Sequence, residues 1–156
     1  MNRLRRIFLR GSAASALLPL VGTGLLVPGR VLAADWNRTA FTARTLADAL
    51  KAQGSAAATE TRDILISAPE IAENGAKVEV EVTSNLANCR SIAVFAERNP
   101  LPLCATLELA GNALPFARIQ LKLAESTRVR AVVKTGDGKT WVASREIKVT
   151  LGGCGG

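Results

Sequence analysis

From residue 62 onward, apolar side chains recur at every second position, in short runs separated by turn residues. That period predicts half-buried strands. Residues 62–67 alternate through Ile64 and Ile66. Residues 76–83 set Val78, Val80 and Val82 inward, with Lys77, Glu79 and Glu81 outward. Residues 90–97 carry apolar groups on both sides, Ile92, Val94 and Ala96 against Ala93 and Phe95, which predicts a strand covered on both faces. Residues 103–109 turn Leu103, Ala105, Leu107 and Leu109 inward, and residues 117–123 do the same with Ile119, Leu121 and Leu123. Residues 127–135 present Val129, Ala131 and Val133, and residues 140–151 present Ile147, Val149 and Leu151. Pro69, Glu73-Asn74-Gly75, Arg98 through Pro102 and the hairpin turn Gly136-Asp137-Gly138 punctuate the runs. About seven short strands at this spacing predict an all-β domain over 61–151, an immunoglobulin-like antiparallel β-sandwich of two sheets.

The pattern ahead of the strands differs. Residues 34–38 are a short extended lead with Trp36. Residues 39–52 predict one helix, capped by Thr39 or Thr42, with Phe41, Leu46, Ala49 and Leu50 on one side and Gly54 where it stops. Residues 53–60 are small and polar and predict a linker. Residues 1–33 predict a cleaved twin-arginine export signal. Arg5-Arg6-Ile7-Phe8-Leu9-Arg10 leads an apolar stretch broken by Pro19, Gly22, Gly24 and Pro28, and Val31-Leu32-Ala33 precedes the cut. A Sec-type signal and a retained anchor are the lesser alternatives.

Removing that signal changes the charge. The chain's formal net charge is +7, but five arginines (Arg3, Arg5, Arg6, Arg10 and Arg30) lie in the first 33 residues with no acid, which leaves +2 on the remainder. A domain so nearly neutral gives no support to nucleic-acid binding. Export also places the three cysteines, Cys89, Cys104 and Cys154, in an oxidising compartment, where an odd count leaves at least one thiol without an internal partner. There is no histidine, so the commonest metal ligand and general base is missing. Three widely spaced cysteines without a Cys-x-x-Cys pair make a poor zinc set, and no cofactor is expected.

The sequence closes on Leu151-Gly152-Gly153-Cys154-Gly155-Gly156. Gly152, Gly153, Gly155 and Gly156 have no side chain to bury, so this predicts a flexible carrier arm over 152–156 and not a piece of core. Three residues at ~3.5 Å each put the thiol of Cys154 roughly 10 Å beyond the last strand. Fixing the arm costs ~1–2 kcal/mol of backbone entropy per residue, which favours transient complexes. The nearest cations are Lys148 and Arg145, and the Gly156 carboxylate disfavours a thiolate. With a pKa near ~8.5 the thiol is a few per cent ionised at neutral pH. Cys154 therefore reads as an attachment point served by other proteins, not as a catalyst.

The terminal Val149-Thr150-Leu151-Gly152-Gly153-Cys154-Gly155-Gly156 resembles the carboxyl-terminal motif of the SoxY family, sulfur-carrier subunits of the periplasmic thiosulfate-oxidising Sox system. Ala72-Glu73-Asn74-Gly75-Ala76, Ser91-Ile92-Ala93-Val94-Phe95, Arg98-Asn99-Pro100 and Lys134 through Trp141 are similar to the same family. The resemblance implies an immunoglobulin-like fold and a heterodimer with a second small β protein, SoxZ, exported folded on this chain's signal. It implies that Cys154 carries the sulfur substrate covalently. A c-type cytochrome enzyme would load thiosulfate, a dimanganese hydrolase would release sulfate, and a molybdenum–haem enzyme would oxidise the remaining sulfane sulfur. The carrier itself would be no enzyme, and after signal cleavage would have no membrane segment.

Two other readings compete. A ubiquitin-like carrier would use the Gly156 carboxylate, but its adenylation needs cytoplasmic ATP. A structural or binding module would use Cys154 only for an intermolecular disulfide. Counting from a turn near residue 100 sets Cys104 opposite about residue 97. Strand parity then puts Cys89 with Phe95 and Cys104 with Thr106, which favours two separate thiols over a bridge. Arg118, Lys122, Arg128 and Arg130 fall on outward positions of two neighbouring strands, where a solvated face is favoured over an anion-attracting patch. Trp141 is assigned to the core ahead of a partner contact.

Overall fold

The computed structural model describes residues 36–151. The expected export signal, 1–33, and the expected arm, 152–156, lie outside the described residues. The described residues form nine strands: β1 Thr59–Glu60, β2 Ile64–Ser67, β3 Ile71–Asn74, β4 Val78–Ser84, β5 Cys89–Ala96, β6 Leu103–Glu108, β7 Phe116–Leu121, β8 Thr127–Thr135 and β9 Thr140–Leu151. One sheet has the order β1-β9-β8-β5-β6, with β3 also on β9; the other is β2-β4-β7.

The two sheets face each other across the apolar positions that the period-two pattern marks. Val78, Val80 and Val82 of β4 meet Ile92, Val94 and Ala96 of β5, Val129, Ala131 and Val133 of β8, and Ile147 of β9. Burial of each such valine or isoleucine contributes about 1.5–3 kcal/mol. The predicted sandwich is therefore present, and β5 is buried on both faces as its composition requires. Its second face, Ala93 and Phe95, meets Leu103, Val132, Val142 and the helices.

The helical segment is two helices, not one. Helix α1 is Arg38–Thr42 and α2 is Leu46–Ala52. The caps are Asn37, which accepts from the Ala40 amide, and Thr45, which accepts from the Asp48 amide, in place of Thr39 or Thr42. Thr45 competes with helix continuation by satisfying the first turn of α2 with its own hydroxyl, so the chain breaks at Ala43, which is extended. The apolar side is the expected one. Ala49 is buried against the outer face of the larger sheet, and Phe41, Leu46 and Leu50 pack around it. Gly54 stops α2 at φ +67°.

Residues 53–60 are more than a linker. Gln53 and Ser55 are buried, and β1 pairs in parallel with β9, Thr59 against Trp141 and Glu60 against Val142. The second unexpected strand, β3, also pairs in parallel with β9, Ile71 against Lys148, Ala72 against Val149 and Asn74 against Leu151. The sandwich is thus antiparallel except along this one edge. Among the described residues, no helix is long and apolar enough to cross a membrane.

Candidate functional site

The last four residues of β9 are held unlike the rest of the strand. The antiparallel ladder from β8 ends at Thr127 against Ile147. One residue earlier, Ser126 continues it with a side chain: its Oγ accepts the Val149 N–H at 2.9 Å and donates to the Val149 carbonyl at 3.3 Å. On the opposite edge β3 takes over. Lys148 N–H donates to the Glu70 carbonyl at 2.9 Å, and the Thr150 hydroxyl donates to the Glu73 carbonyl at 2.8 Å.

Gly75 closes this collar. Its N–H donates to the Leu151 carbonyl at 2.7 Å, and its carbonyl accepts from the Leu123 N–H at 2.7 Å. The turn that presents it is fixed by Asn74, whose Oδ1 accepts the Ala76 N–H at 2.8 Å, an Asx-turn. So one residue joins the end of β9 to the segment leaving β7, on the other sheet.

A second tie reaches the same place from the β5–β6 turn. Asn99 donates from Nδ2 to the Lys122 carbonyl at 2.8 Å and accepts the Ala124 N–H on Oδ1 at 3.0 Å. Arg98 donates its N–H to Thr127 Oγ1 at 3.0 Å and its Nη1 to the Ser126 carbonyl at 3.3 Å. Arg98 and Asn99 thereby fix the 122–127 loop, and the loop's Ser126 holds Val149. The segments 72–76 and 98–100, far apart in sequence, both serve the strand end that leads to Cys154. Their sequences predict turns and no such role. The pointer to β3 was there in the short apolar pair Ile71-Ala72 before Asn74-Gly75.

Beside this collar, where β3 leaves β9, lies a cavity of about 380 Å³ lined by Glu70, Ile71, Arg145, Glu146 and Lys148. Nε of Arg145 is buried without a hydrogen-bond partner. Cys154 and Gly152, Gly153, Gly155 and Gly156, the residues of the expected arm, lie outside the described residues.

Cys89 and Cys104 are both free. Neither follows the parity that simple strand alternation predicts. Bulges displace the register between Cys89 and Ser91 and between Val94 and Phe95, and each turns its neighbouring cysteine toward the inter-sheet core. Cys104 stands beside Val94 and Phe95, not residue 97, so about five residues of strand, roughly 17 Å, separate it from Cys89. That is far beyond disulfide reach. Burial raises the pKa of both thiols. A hydrogen bond with Ser84 partly offsets this at Cys89, and hydrogen bonds with Ala96 and Asn99 partly offset it at Cys104.

The four basic residues do not form one patch. Arg118 belongs to β7 on the smaller sheet, whereas Arg128 and Arg130 belong to β8 on the larger. Arg118 pairs with Glu81 and Arg130 with Glu97. Trp141 packs against the sandwich core. Among the described residues, no group of three or more His, Cys, Asp or Glu is placed to hold a metal.

Residues 49–154 match the family model for sulfur oxidation protein SoxY, a stretch that includes Cys154. The structure is similar to that of the sulfur carrier protein SoxY from Chlorobium limicola f thiosulfatophilum, at 35% identity and TM-score 0.62, over 70% of this chain and 96% of that one. It is also similar to a superoxide reductase (neelaredoxin) from Ignicoccus hospitalis, at 26% identity and TM-score 0.50, over 57% and 81% of the two chains. No curated protein matches the sequence. A sandwich common to proteins with such different names shows that function is set by the residues placed on it, not by the fold.

Proposed function

The chain belongs to the SoxY family, and from that premise we propose that it is a periplasmic sulfur carrier whose covalent attachment point is Cys154. The observation that carries this reading is that the family match runs to residue 154, through Gly152-Gly153-Cys154. The collar around Val149, Thr150 and Leu151 supports it. It gives the arm a fixed origin, while the flanking glycines leave little bulk to hinder entry into a partner's cleft.

In the proposed cycle the Cys154 thiolate joins the sulfane sulfur of thiosulfate. Cys–S⁻ and S₂O₃²⁻ give Cys–S–S–SO₃⁻ and two electrons, accepted by a c-type cytochrome partner. Water then attacks the terminal sulfur in a hydrolase partner. The products are sulfate, the persulfide Cys–S–S⁻ and two protons. A sulfane-oxidising partner acts on the persulfide. No step needs a base or metal from this chain, so it is a carrier and not an enzyme. We further propose a SoxZ-like partner subunit, and export through the Arg5-Arg6 signal.

Mass spectrometry of the tail peptide from thiosulfate-grown cells is expected to show sulfur and sulfonate adducts on Cys154. Cys154→Ser is expected to abolish thiosulfate oxidation; oxidation at the normal rate in that variant would overturn the carrier reading. Copurification is expected to recover the partner subunit. Cell fractionation with Arg5→Lys and Arg6→Lys together is expected to leave the protein in the cytoplasm.

A further inference from the structure

The edge of β9 that faces away from β8 is covered at both ends and bare between them. On that edge the Val142 carbonyl accepts the Thr61 N–H at 3.0 Å, just after β1, and the Lys148 N–H donates to the Glu70 carbonyl at 2.9 Å, just before β3. The chain between β1 and β3 is engaged elsewhere, because β2 pairs with β4 on the other sheet. A strand turns the N–H and C=O of alternate residues to the same edge, so Ser144 and Glu146 present theirs in line with those of Val142 and Lys148. Among the described residues, no backbone partner reaches this edge of Ser144 or Glu146. Both residues are exposed. Two cavities open along the stretch. One, of about 390 Å³, is lined by Leu65, Ala143 and Ser144 with their neighbours, and the other is the cavity of about 380 Å³ that Arg145 and Glu146 line.

We propose that this gap receives an extended segment of a partner protein, which pairs with Ser144 and Glu146 as an added strand and sets an acidic side chain against Arg145. The backbone groups call for a strand. Arg145 calls for the acid: its Nε is buried without a hydrogen-bond partner, and its guanidinium makes no ion pair among the described residues. In an added strand, the residue directly opposite Arg145 projects to the same face, so a carboxylate at that position supplies the missing acceptor. An apolar side chain there would bury the guanidinium against hydrocarbon, so the same arginine rejects an apolar strand.

The geometry selects a lone segment over a second copy of this chain. Antiparallel pairing of two β9 edges about Arg145 would set one guanidinium against the other. It would also bring Val142 of each copy opposite Lys148 of the other, where β1 and β3 already occupy the edge and would collide. A single extended segment carries no such flanking strands and fits the opening between them. The inference does not depend on the carrier reading.

The test uses the whole mature chain and a capped pentapeptide, valine–threonine–glutamate–threonine–valine, whose glutamate falls opposite Arg145 when the peptide is centred on the gap. Amide exchange is followed by nitrogen-15 NMR. Without peptide, the Ser144 and Glu146 amides are expected to exchange faster than those of Ala143 and Arg145, which face β8. With peptide bound, the Ser144 and Glu146 amides are expected to exchange roughly tenfold more slowly than without it. A peptide with glutamine in place of glutamate is expected to bind roughly tenfold more weakly, the difference between a charged and a neutral acceptor. Ser144→Pro removes one donor from the bare edge and none from the β8 ladder, and is expected to abolish the protection at Glu146; Ser144→Ala keeps the donor and is expected to preserve it. Arg145→Gln is expected to erase the preference for glutamate. If Ser144→Pro disrupts the ladder, seen as faster exchange at Val132, the Arg145→Gln comparison decides. Absence of protection with peptide up to about 5 mM, or equal binding of the two peptides, would overturn the proposal. Protection that grows with protein concentration in the absence of peptide would place a second copy on the edge and would overturn it as well.

Discussion

The two ends of β9 are fastened by different means. Its first eight residues, 140–147, sit in a continuous antiparallel ladder with β8, and Val142 and Ile147 point into packed apolar clusters. Its last four, 148–151, are held by a short parallel strand, one serine hydroxyl and one glycine. The first end is stabilised by burial, which is shared with the whole domain. The second is stabilised by separate hydrogen bonds, each worth about 0.5–1.5 kcal/mol. The fold and the end of its last strand can therefore be perturbed independently.

That separation is open to direct attack. Ile147→Ala removes a fully buried side chain at the junction and is expected to cost about 2–5 kcal/mol of global stability, read by chemical denaturation. Asn99→Ala severs two ties to the 122–124 segment and is expected to cost about 1–2 kcal/mol. Its effect should reach Val149 through Ser126, visible as faster amide exchange there. Ser126→Ala is expected to speed exchange of the Val149 amide roughly fivefold, the effect of about 1 kcal/mol, while Val132 in the ladder keeps its rate. Equal acceleration at both amides would show that the ends are coupled after all.

Thiol chemistry sharpens the same contrast. Burial holds both domain cysteines protonated, so alkylation of native protein is expected to label the tail peptide first, with Cys89 and Cys104 far behind. Their raised folded-state pKa values stabilise the fold below the ordinary thiol pKa, and that contribution is lost as pH rises through the folded values. The smallest effect is expected at the β8–β9 turn. The Thr135 hydroxyl and then Lys139 lower the pKa of Asp137 to about 2. Its stabilising contribution is present above the unfolded carboxylate pKa of about 3.9 and is lost as pH falls toward about 2. Asp137→Asn should flatten the stability profile in that window only.

What was legible in the sequence follows from how each element is stabilised. Val78, Val80 and Val82 repeat because one face of β4 is buried, and the double-sided run at 92–96 follows from the burial of both faces of β5. Gly54 and Gly138 mark turns because both adopt positive φ. The misses share a cause. Strands β1 and β3 are two and four residues long, pair in parallel and are mostly exposed, so they carry no apolar period. The bulges at Cys89 and near Phe95 shift parity without altering composition, which is why both cysteines were assigned to the wrong face. At the site, the sequence marked Cys154 by its glycines. It did not reveal the collar, because Ser126 and Asn99 bond from their side chains, and Gly75 from its backbone, to main-chain groups far along the sequence, which pattern does not encode.

The hydrogen bond from Thr150 to Glu73 joins positions 77 residues apart. Contacts of such separation must await closure of the intervening loop, so they belong to the slow, topologically demanding part of folding. A partly folded or truncated chain can form the β8–β9 hairpin locally and still lack any seat for its final strand. The seat of the final strand's end is consequently a late product of folding, and a docked Thr150 marks a chain whose distant segments have already been brought together.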